Sequence, residues 1–326
     1  LADYLVTGAA GFIASRVAEM LLEAGHHVTG VDNLNDAYDV RMKAYRLQRL
    51  QALPGFTFAR LDIADRQALE SAPVLAAPRF EAVINLAARA GVRASLKDPW
   101  IFYETNVNGS LNLLELCRQR GIGKFIQAST STVYGLKAPV PTPESAETDH
   151  PPQAYAASKK AAEVLCACYH SLYDLDISVV RYFTVYGPAG RPDMSMFRFA
   201  RWLVEEEPIQ LYGSGEQSRG FTYLDDIARG TIAALKPLGY EIFNLGGHEV
   251  ISMNALIAMM EAATGIKAIV ERHPANPGEL LTNQADVNKA RTMLGWEPQV
   301  GLQEGVRRLL EWYAQERGWA KEIALS

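Results

Sequence analysis

Tyr155 and Lys159 stand four residues apart in the run Tyr155-Ala156-Ala157-Ser158-Lys159. On a helix that spacing puts both side chains on one face, one turn apart. Ala156, Ala157, Ala161 and Ala162, then Glu163, Val164 and Leu165, favour helix here. A free phenol ionises at about 10, too high for a base near neutrality. An adjacent ammonium stabilises the phenolate. Bringing the pKa to about 7 or 8 takes roughly 3 to 4 kcal/mol of differential stabilisation. Such a pair could take a proton from a substrate hydroxyl. Alone it is also what an aromatic and a snorkelling lysine on an ordinary helix look like. The chemistry therefore depends on what the rest of the chain sets beside it.

The first thirty-two residues supply a nucleotide site. Residues 2–7 read as a short strand, and Gly8-Ala9-Ala10-Gly11-Phe12-Ile13-Ala14 follows as a turn opening a helix to about Gly25. Val28 to Asp32 reads as a second strand, and Asp32 falls 21 residues after Gly11. Gly8 permits the tight turn. Gly11 lets backbone N–H groups approach a pyrophosphate at the positive end of the helix. A carboxylate at the tip of the second strand can bind the adenosine ribose hydroxyls and repels a 2′-phosphate, which favours NAD over NADP.

Strand and helix signals then alternate. Strands are expected at Phe56–Arg60, Ala82–Leu86, Phe125–Ala128 and Ile177–Arg181, with helices near 39–52, 100–120, 153–174, 194–206, 225–236, 252–264, 286–294 and 302–316. This order predicts an α/β fold with a doubly wound parallel sheet. Ligands sit at the carboxyl ends of such strands, where Thr7, Asp32, Asp62, Ala87, Thr130 and Phe183 all fall. Beyond about residue 185 Pro and Gly become frequent and the pattern loosens. The expected division is a nucleotide-binding domain over 1–184, with a return at about 224–247, and a smaller substrate-binding C-terminal lobe from 185–223 and 248–326. No internal repeat, low-complexity tract or flexible linker is visible.

Composition narrows the surroundings. The chain has 326 residues, 48% hydrophobic and 21% charged, with a net charge of −5. That length suits one large domain or two intimate ones. Nothing in the charge suits wrapping around nucleic acid. No apolar run reaches membrane-spanning length. The N-terminal apolar stretch is interrupted by glycines, Arg16 and Glu19, unlike a signal peptide. The chain opens on Leu1, so an initiator Met or short leader is expected to be missing. Three cysteines cannot form a disulfide framework, which fits a cytoplasmic protein. Cys166 and Cys168 are expected in the core. The 153–174 segment is apolar almost all round, so one side should pack on the sheet and the other on a second copy, making a homodimer.

The glycine turn with Asp32, the hydroxyl-rich strand end Ser129-Thr130-Ser131-Thr132 and the Tyr155/Lys159 pair together resemble the extended short-chain dehydrogenase/reductases, the NAD-dependent epimerase/dehydratase family, over nearly the whole chain. The resemblance implies a Rossmann-type fold, an NAD cofactor and a UDP-sugar substrate. It assigns Thr130, three residues before Val133-Tyr134-Gly135, to share the substrate hydroxyl with Tyr155, and it makes Lys159 the residue that holds the nicotinamide ribose. Around the cofactor it places Gly8, Gly11, Phe12, Ile13, Asp32, Asn33, Asp62, Ile63, Leu86, Ala87, Ala88 and Asn106.

Finer marks bear on the subfamily. Sugar-nucleotide 4,6-dehydratases carry an Asp-Glu pair where this chain has Ser131 and Thr132, and UDP-glucuronate decarboxylases carry a glutamate at the second position. The segment Arg181–Met194, together with Asp32-Asn33-Leu34-Asn35-Asp36 and Ala90-Gly91-Val92-Arg93, is similar to UDP-glucuronate 4-epimerases. The implied reaction is reversible oxidation at C4, converting UDP-glucuronate to UDP-galacturonate through a 4-keto sugar, with hydride removed and returned by the same bound NAD and no metal. Ser131, Thr132 and Thr184 would hold the carboxylate, Arg191 would lie near the substrate, Arg219 would grip the diphosphate, and Arg93 and Glu279 would complete the sugar-nucleotide site. Three positions depart from the usual pattern: Ala14 for the third glycine, Gly220 after Arg219, and Glu279 for an aspartate. The rival expectations are a decarboxylase or a UDP-hexose 4-epimerase of the same fold, and a non-catalytic nucleotide-binding scaffold.

Overall fold

The apolar runs that alternate with helices become strands buried on both faces. A computed structural model describes residues 1–76, 79–247, 249–275 and 281–325. The first six strands are β1 (Asp3–Thr7), β2 (His27–Asp32), β3 (Phe56–Arg60), β4 (Ala82–Asn85), β5 (Lys124–Thr130) and β6 (Asp176–Tyr182). Three short strands follow: β7 (Thr184–Tyr186), β8 (Ile209–Tyr212) and β9 (Ser218–Tyr223). Then come β10 (Tyr240–Leu245), β11 (Glu249–Ser252), β12 (Val270–His273) and β13 (Thr282–Asn283).

Among the described residues seven strands form one parallel sheet in the order β10-β6-β5-β4-β1-β2-β3. Leu5, Val6, Val83, Ile84, Phe125, Ile126, Ile177, Val179 and Val180 are fully buried in it. Continuous apolar strands are what a parallel sheet covered by helices on both faces requires. The chain winds outward from β1 to β3, then crosses back to set β4 on the other side of β1. That reversal opens a crevice at the carboxyl ends of β1 and β4, the usual ligand position in such sheets. The expected return strand is β10, paired in register with β6.

The remaining strands build a second layer over those carboxyl ends. β9 pairs with β11, β13 and β7, while β8 pairs with β12. Phe197, Trp202, Phe221, Leu256, Met260, Leu309 and Tyr313 fill their shared core. Only Phe183 separates β6 from β7, so the main sheet hands Thr184 directly to this smaller sheet. The helix Leu224–Ala233 packs on the first helix, Phe12–Glu23, and Arg16 pairs with Asp225 at 2.9 Å between them.

The site helix runs Ala154–Tyr173, and its amphipathy is inverted. Its buried side carries Ser158, Lys159 and Glu163 among Ala156, Ala162, Cys166 and Tyr169. Its outer side exposes Val164, Cys168, Leu172 and Tyr173. The expected core position of Cys168 is therefore corrected: it is two residues from buried Cys166, which a helix turns to the opposite side. Nor does the smaller lobe cover the outer face, since Leu172 is 65% exposed and Val164 57%.

The single helix expected over 100–120 is also corrected. It is broken into Trp100–Tyr103, a wide five-residue π turn Glu104–Asn108, and Gly109–Arg120. Asn106, in the wide turn, points inward and holds the backbone of Arg89 through both its oxygen and its nitrogen. The last helix runs Leu302–Ala320, longer than its apolar period suggested. No helix among the described residues is long and apolar enough to cross a membrane.

Candidate active site

The carboxyl end of β5 and the start of the site helix bring Thr130 and Tyr155 together, with Lys159 one turn further along the helix. β5 ends at Thr130, and a short 3₁₀ turn over Ser131–Tyr134 follows. The Thr130 hydroxyl caps that turn by accepting from the Thr132 N–H at 3.2 Å, and it lies 2.9 Å from the Thr132 hydroxyl. Tyr155, in the helix's first turn, is half-buried with the Phe102 ring edge-on at 6.1 Å. Burial pushes its phenol above the ordinary 10, while hydrogen bonding with Thr130 and the charge of Arg191 pull the other way. Burial likewise pushes the Lys159 ammonium down to about 8, against the opposing charge of Glu163. Within the chain the charge of Arg191 favours the phenolate, and Lys159 stands one turn further along the same helix.

A run of buried hydrogen bonds fixes the site helix to the sheet. The Ser158 hydroxyl donates to the Tyr155 carbonyl at 2.8 Å and accepts from Asn106 Nδ2 at 2.9 Å. The Asn106 carbonyl accepts from Ser110 at 2.7 Å, and Ser110 in turn accepts from Asn85 at 3.1 Å. Asn85 also accepts from the Thr7 hydroxyl at 2.7 Å and donates to Gln127 at 3.0 Å. A second buried group, Glu163 with Arg181 and Ser129, lies one turn beyond Lys159. None of Asn85, Ser110, Ser158, Glu163 and Arg181 was a sequence candidate. Asn85 and Arg181 did leave a signal: each is a polar residue ending an apolar strand run, where burial without partners is costly.

The glycine turn has the shape a dinucleotide diphosphate needs. Gly8 has φ +68, and a Cβ there would lie 2.8 Å from Ala87 Cα, inside contact distance. A Cβ on Gly11 would meet the Gly8 carbonyl at 2.8 Å, the same carbonyl that accepts the Gly11 N–H at 2.7 Å. No side chain caps the first helix, so its leading N–H groups face the crevice free of a local acceptor. Asp32 ends β2 and accepts from Ala10 N at 3.2 Å and Leu34 N at 2.7 Å, tying the turn to the strand tip. Lys43, buried and 3.7 Å away, balances its charge. Asn33 donates to Asp62 at 2.8 Å. Phe12 and Ile13 open the first helix, Ile63 follows β3, and Leu86, Ala87 and Ala88 follow β4. These residues fit NAD. Ala14 is buried against the sheet without disturbing this turn. Asn106, by contrast, already uses its amide on Arg89 and Ser158.

The substrate-side candidates come from both layers. The Ser131 hydroxyl accepts from Asn283 of β13 at 3.4 Å, and Thr184 begins β7. Arg191 presents its fork to Asp193, at 3.0 and 2.6 Å, with the Tyr38 ring at 6.0 Å. Arg93 is exposed on the helix Val92–Lys97 and stacks on Tyr212 of β8 at 5.6 Å. Arg219 lies on β9, level with Asn283 and Ile251. The departure at Gly220 has a steric reason: a Cβ there would lie 2.5 Å from Gly247 Cα. Glu279 lies outside the described residues.

Comparison with known proteins agrees with this arrangement. Residues 4–246 match the NAD dependent epimerase/dehydratase family, and the chain belongs to that family. It is 53% identical over 321 residues to a UDP-glucuronate 4-epimerase of Thermodesulfobacterium geofontis, covering 98% of each chain. The crystal structure of UDP-glucuronic acid 4-epimerase from Bacillus cereus, in complex with UDP-glucuronic acid and NAD, superposes with a TM-score of 0.88 at 36% identity, over 96% of this chain and 99% of that one. A Thermotoga maritima UDP-glucose 4-epimerase with UDP-glucose superposes at 0.89 and 33% identity, over 97% and 99%.

The lysine environment is testable by itself. In protein carrying ¹³Cε-lysine, one resonance, absent from Lys159→Met, is expected to titrate near pH 8. A midpoint at the ordinary 10.5 or above would contradict the burial described here.

Proposed function

We propose that this chain catalyses the reversible C4 epimerisation of UDP-glucuronate to UDP-galacturonate with bound NAD. The observation that carries the reading is chemical: Thr130 and Tyr155 meet at a strand end whose next two side chains, Ser131 and Thr132, are neutral hydroxyls. The family membership and the activities of the relatives at 53% and 36% identity support it.

On this reading the residue roles are as follows. Tyr155, as phenolate, takes the proton from the sugar's 4-hydroxyl, and the Thr130 hydroxyl bridges the transfer. Lys159 and Arg191 are the cations that favour the phenolate over the phenol. Gly8, Gly11 and the first helix's N–H groups hold the NAD diphosphate, and Asp32, Asn33, Asp62 and Ile63 hold the adenosine end. Bound there, NAD would supply reversible hydride transfer at the sugar's C4. Arg219, whose planar fork suits phosphate oxygens, grips the UDP diphosphate, and Arg93 and Glu279 serve the sugar-nucleotide site. We take residues 1–184 with 224–247 as the cofactor domain, and 185–223 with 248–326 as the substrate lobe.

The oxidised sugar is a β-keto acid, which loses CO₂ when the breaking bond aligns with the carbonyl π system. Ser131, Thr132 and Thr184 donate hydrogen bonds that keep the carboxylate out of that alignment. No carboxylic acid stands at 131 or 132 to expel the 6-oxygen or to favour decarboxylation.

The outer face of the site helix suggests the assembly. Val164, Leu172 and Tyr173 are exposed there, and Leu111 on the neighbouring helix and Trp100 are exposed as well. Apolar exposure on one helix face of this kind suits an interface. A homodimer formed through the two helices covers it, and the cytoplasm is the compartment that suits the free thiols.

Two measurements test these readings. Protein incubated with UDP-glucuronate and no added cofactor is expected to give UDP-galacturonate, identified by NMR. UDP-xylose would transfer the assignment to a decarboxylase, and turnover only of UDP-glucose would transfer it to a hexose epimerase. Light scattering at micromolar concentration is expected to give the mass of two chains, reduced to one by Leu172→Arg with Val164→Arg. A wild-type monomer would remove the dimer.

A further inference from the structure

We propose that Glu163, held by Arg181 and Ser129, is a positioning residue for Lys159: it seats the site helix on β5 and β6 and keeps the lysine in its charged form. The proposal rests on the reading of Lys159 as the ammonium that the reaction requires.

The geometry is that of a built site. Glu163 is 2% exposed, and so is the arginine opposite it. Arg181 grips the carboxylate with two nitrogens, at 2.9 and 2.7 Å, and the Ser129 hydroxyl donates to it at 2.5 Å. Ser129 and Arg181 are register partners on adjacent strands, so two strands close on one carboxylate. Ser129 is also the peptide neighbour of Thr130. The carboxylate that anchors the helix thereby fixes how far Tyr155 and Lys159 stand from Thr130.

Every charged or titratable group around this carboxylate has a defined place. Arg181 turns its remaining nitrogen to the Tyr134 hydroxyl at 2.9 Å and the Glu144 carbonyl at 3.1 Å. Lys160 comes within 3.9 Å of Glu163 and donates instead to Thr148 at 2.6 Å. Tyr240 of β10 donates to the Glu163 backbone carbonyl at 3.3 Å. The Cys166 and Cys117 thiols are buried, and burial keeps both protonated well above neutrality. Among the described residues, then, the anion that acts on Lys159 at neutral pH is Glu163.

Lys159 itself is 2% exposed, and burial works against its charge. Arg181 neutralises the pair overall, so Lys159 senses the negative end of a dipole whose positive end faces the strands and Tyr134. Removing that negative end lowers the lysine's proton affinity further. The sign follows directly: the ammonium is present below its pKa and lost above it, so a lower pKa moves the loss toward neutrality.

The test compares wild type, Glu163→Gln, and the double variant Glu163→Leu with Arg181→Met. The double variant avoids leaving a buried guanidinium unpaired. The ¹³Cε titration midpoint of Lys159 is expected to fall by about one pH unit in both, a tenfold lower ratio of ammonium to amine at any given pH. The alkaline limb of the pH–turnover profile is expected to move with it. Variants that lower the melting temperature but leave the Lys159 midpoint and the alkaline limb where wild type has them would overturn the proposal. Failure of both variants to accumulate as folded protein would also overturn it, by assigning the pair to stability alone. Because the titration needs no turnover, a wild type inactive on UDP-glucuronate would sink the functional reading while leaving this result readable.

Discussion

Burying charge on the sheet side of one helix is the constraint on which the site depends. A surface helix normally turns its polar residues outward, but Ala154–Tyr173 turns Lys159 and Glu163 inward and Val164 and Leu172 outward. An isolated ion in a protein interior carries a penalty of several kcal/mol. Arg181, reaching from β6 with a two-nitrogen grip, offsets that penalty for Glu163. Because the arginine and Ser129 both belong to the central strands, the helix can dock in one register only. That register sets Tyr155 against Thr130. The same inversion leaves an apolar outer face, so the proton chemistry and the proposed dimer contact share one helix.

The fold alone does not choose the sugar. Neighbours that act on UDP-glucose and on UDP-glucuronic acid superpose on this chain about equally well. Discrimination therefore falls to a few side chains where the two layers meet. Ser131 and Thr132 follow β5 directly, Thr184 follows β6 after one residue, and Asn283 reaches Ser131 from the second layer. Neutral donors at these positions can hold a carboxylate without supplying the acid that elimination needs. Arg191 adds positive charge at Tyr155 while its own fork is held by Asp193, so its charge acts across space as well as through any direct contact.

Much of the cofactor side was legible in the sequence for physical reasons. A strand buried on both faces reads as an uninterrupted apolar run, and the glycines and Asp32 announce themselves by spacing. The second layer was harder. β7, β8, β11, β12 and β13 are each four residues or fewer, too short for a period to show. The interrupted helix near Asn106 was missed because a π turn changes hydrogen bonding without changing composition. Cys168 was misplaced because an apolar residue type does not say which side of a helix is covered. Glu163 and Arg181 were missed as a pair because one lies on a helix and the other on a strand, and only the docking of the site helix on the sheet brings them together.

In the proposed reaction one carbon of the sugar is oxidised and reduced again without its hydrogen reaching water. UDP-glucuronate deuterated at C4 is incubated with the protein in ordinary water until the epimers equilibrate. UDP-galacturonate that retains the deuterium at C4 is the expected product. Product carrying solvent hydrogen at that carbon would contradict that reaction.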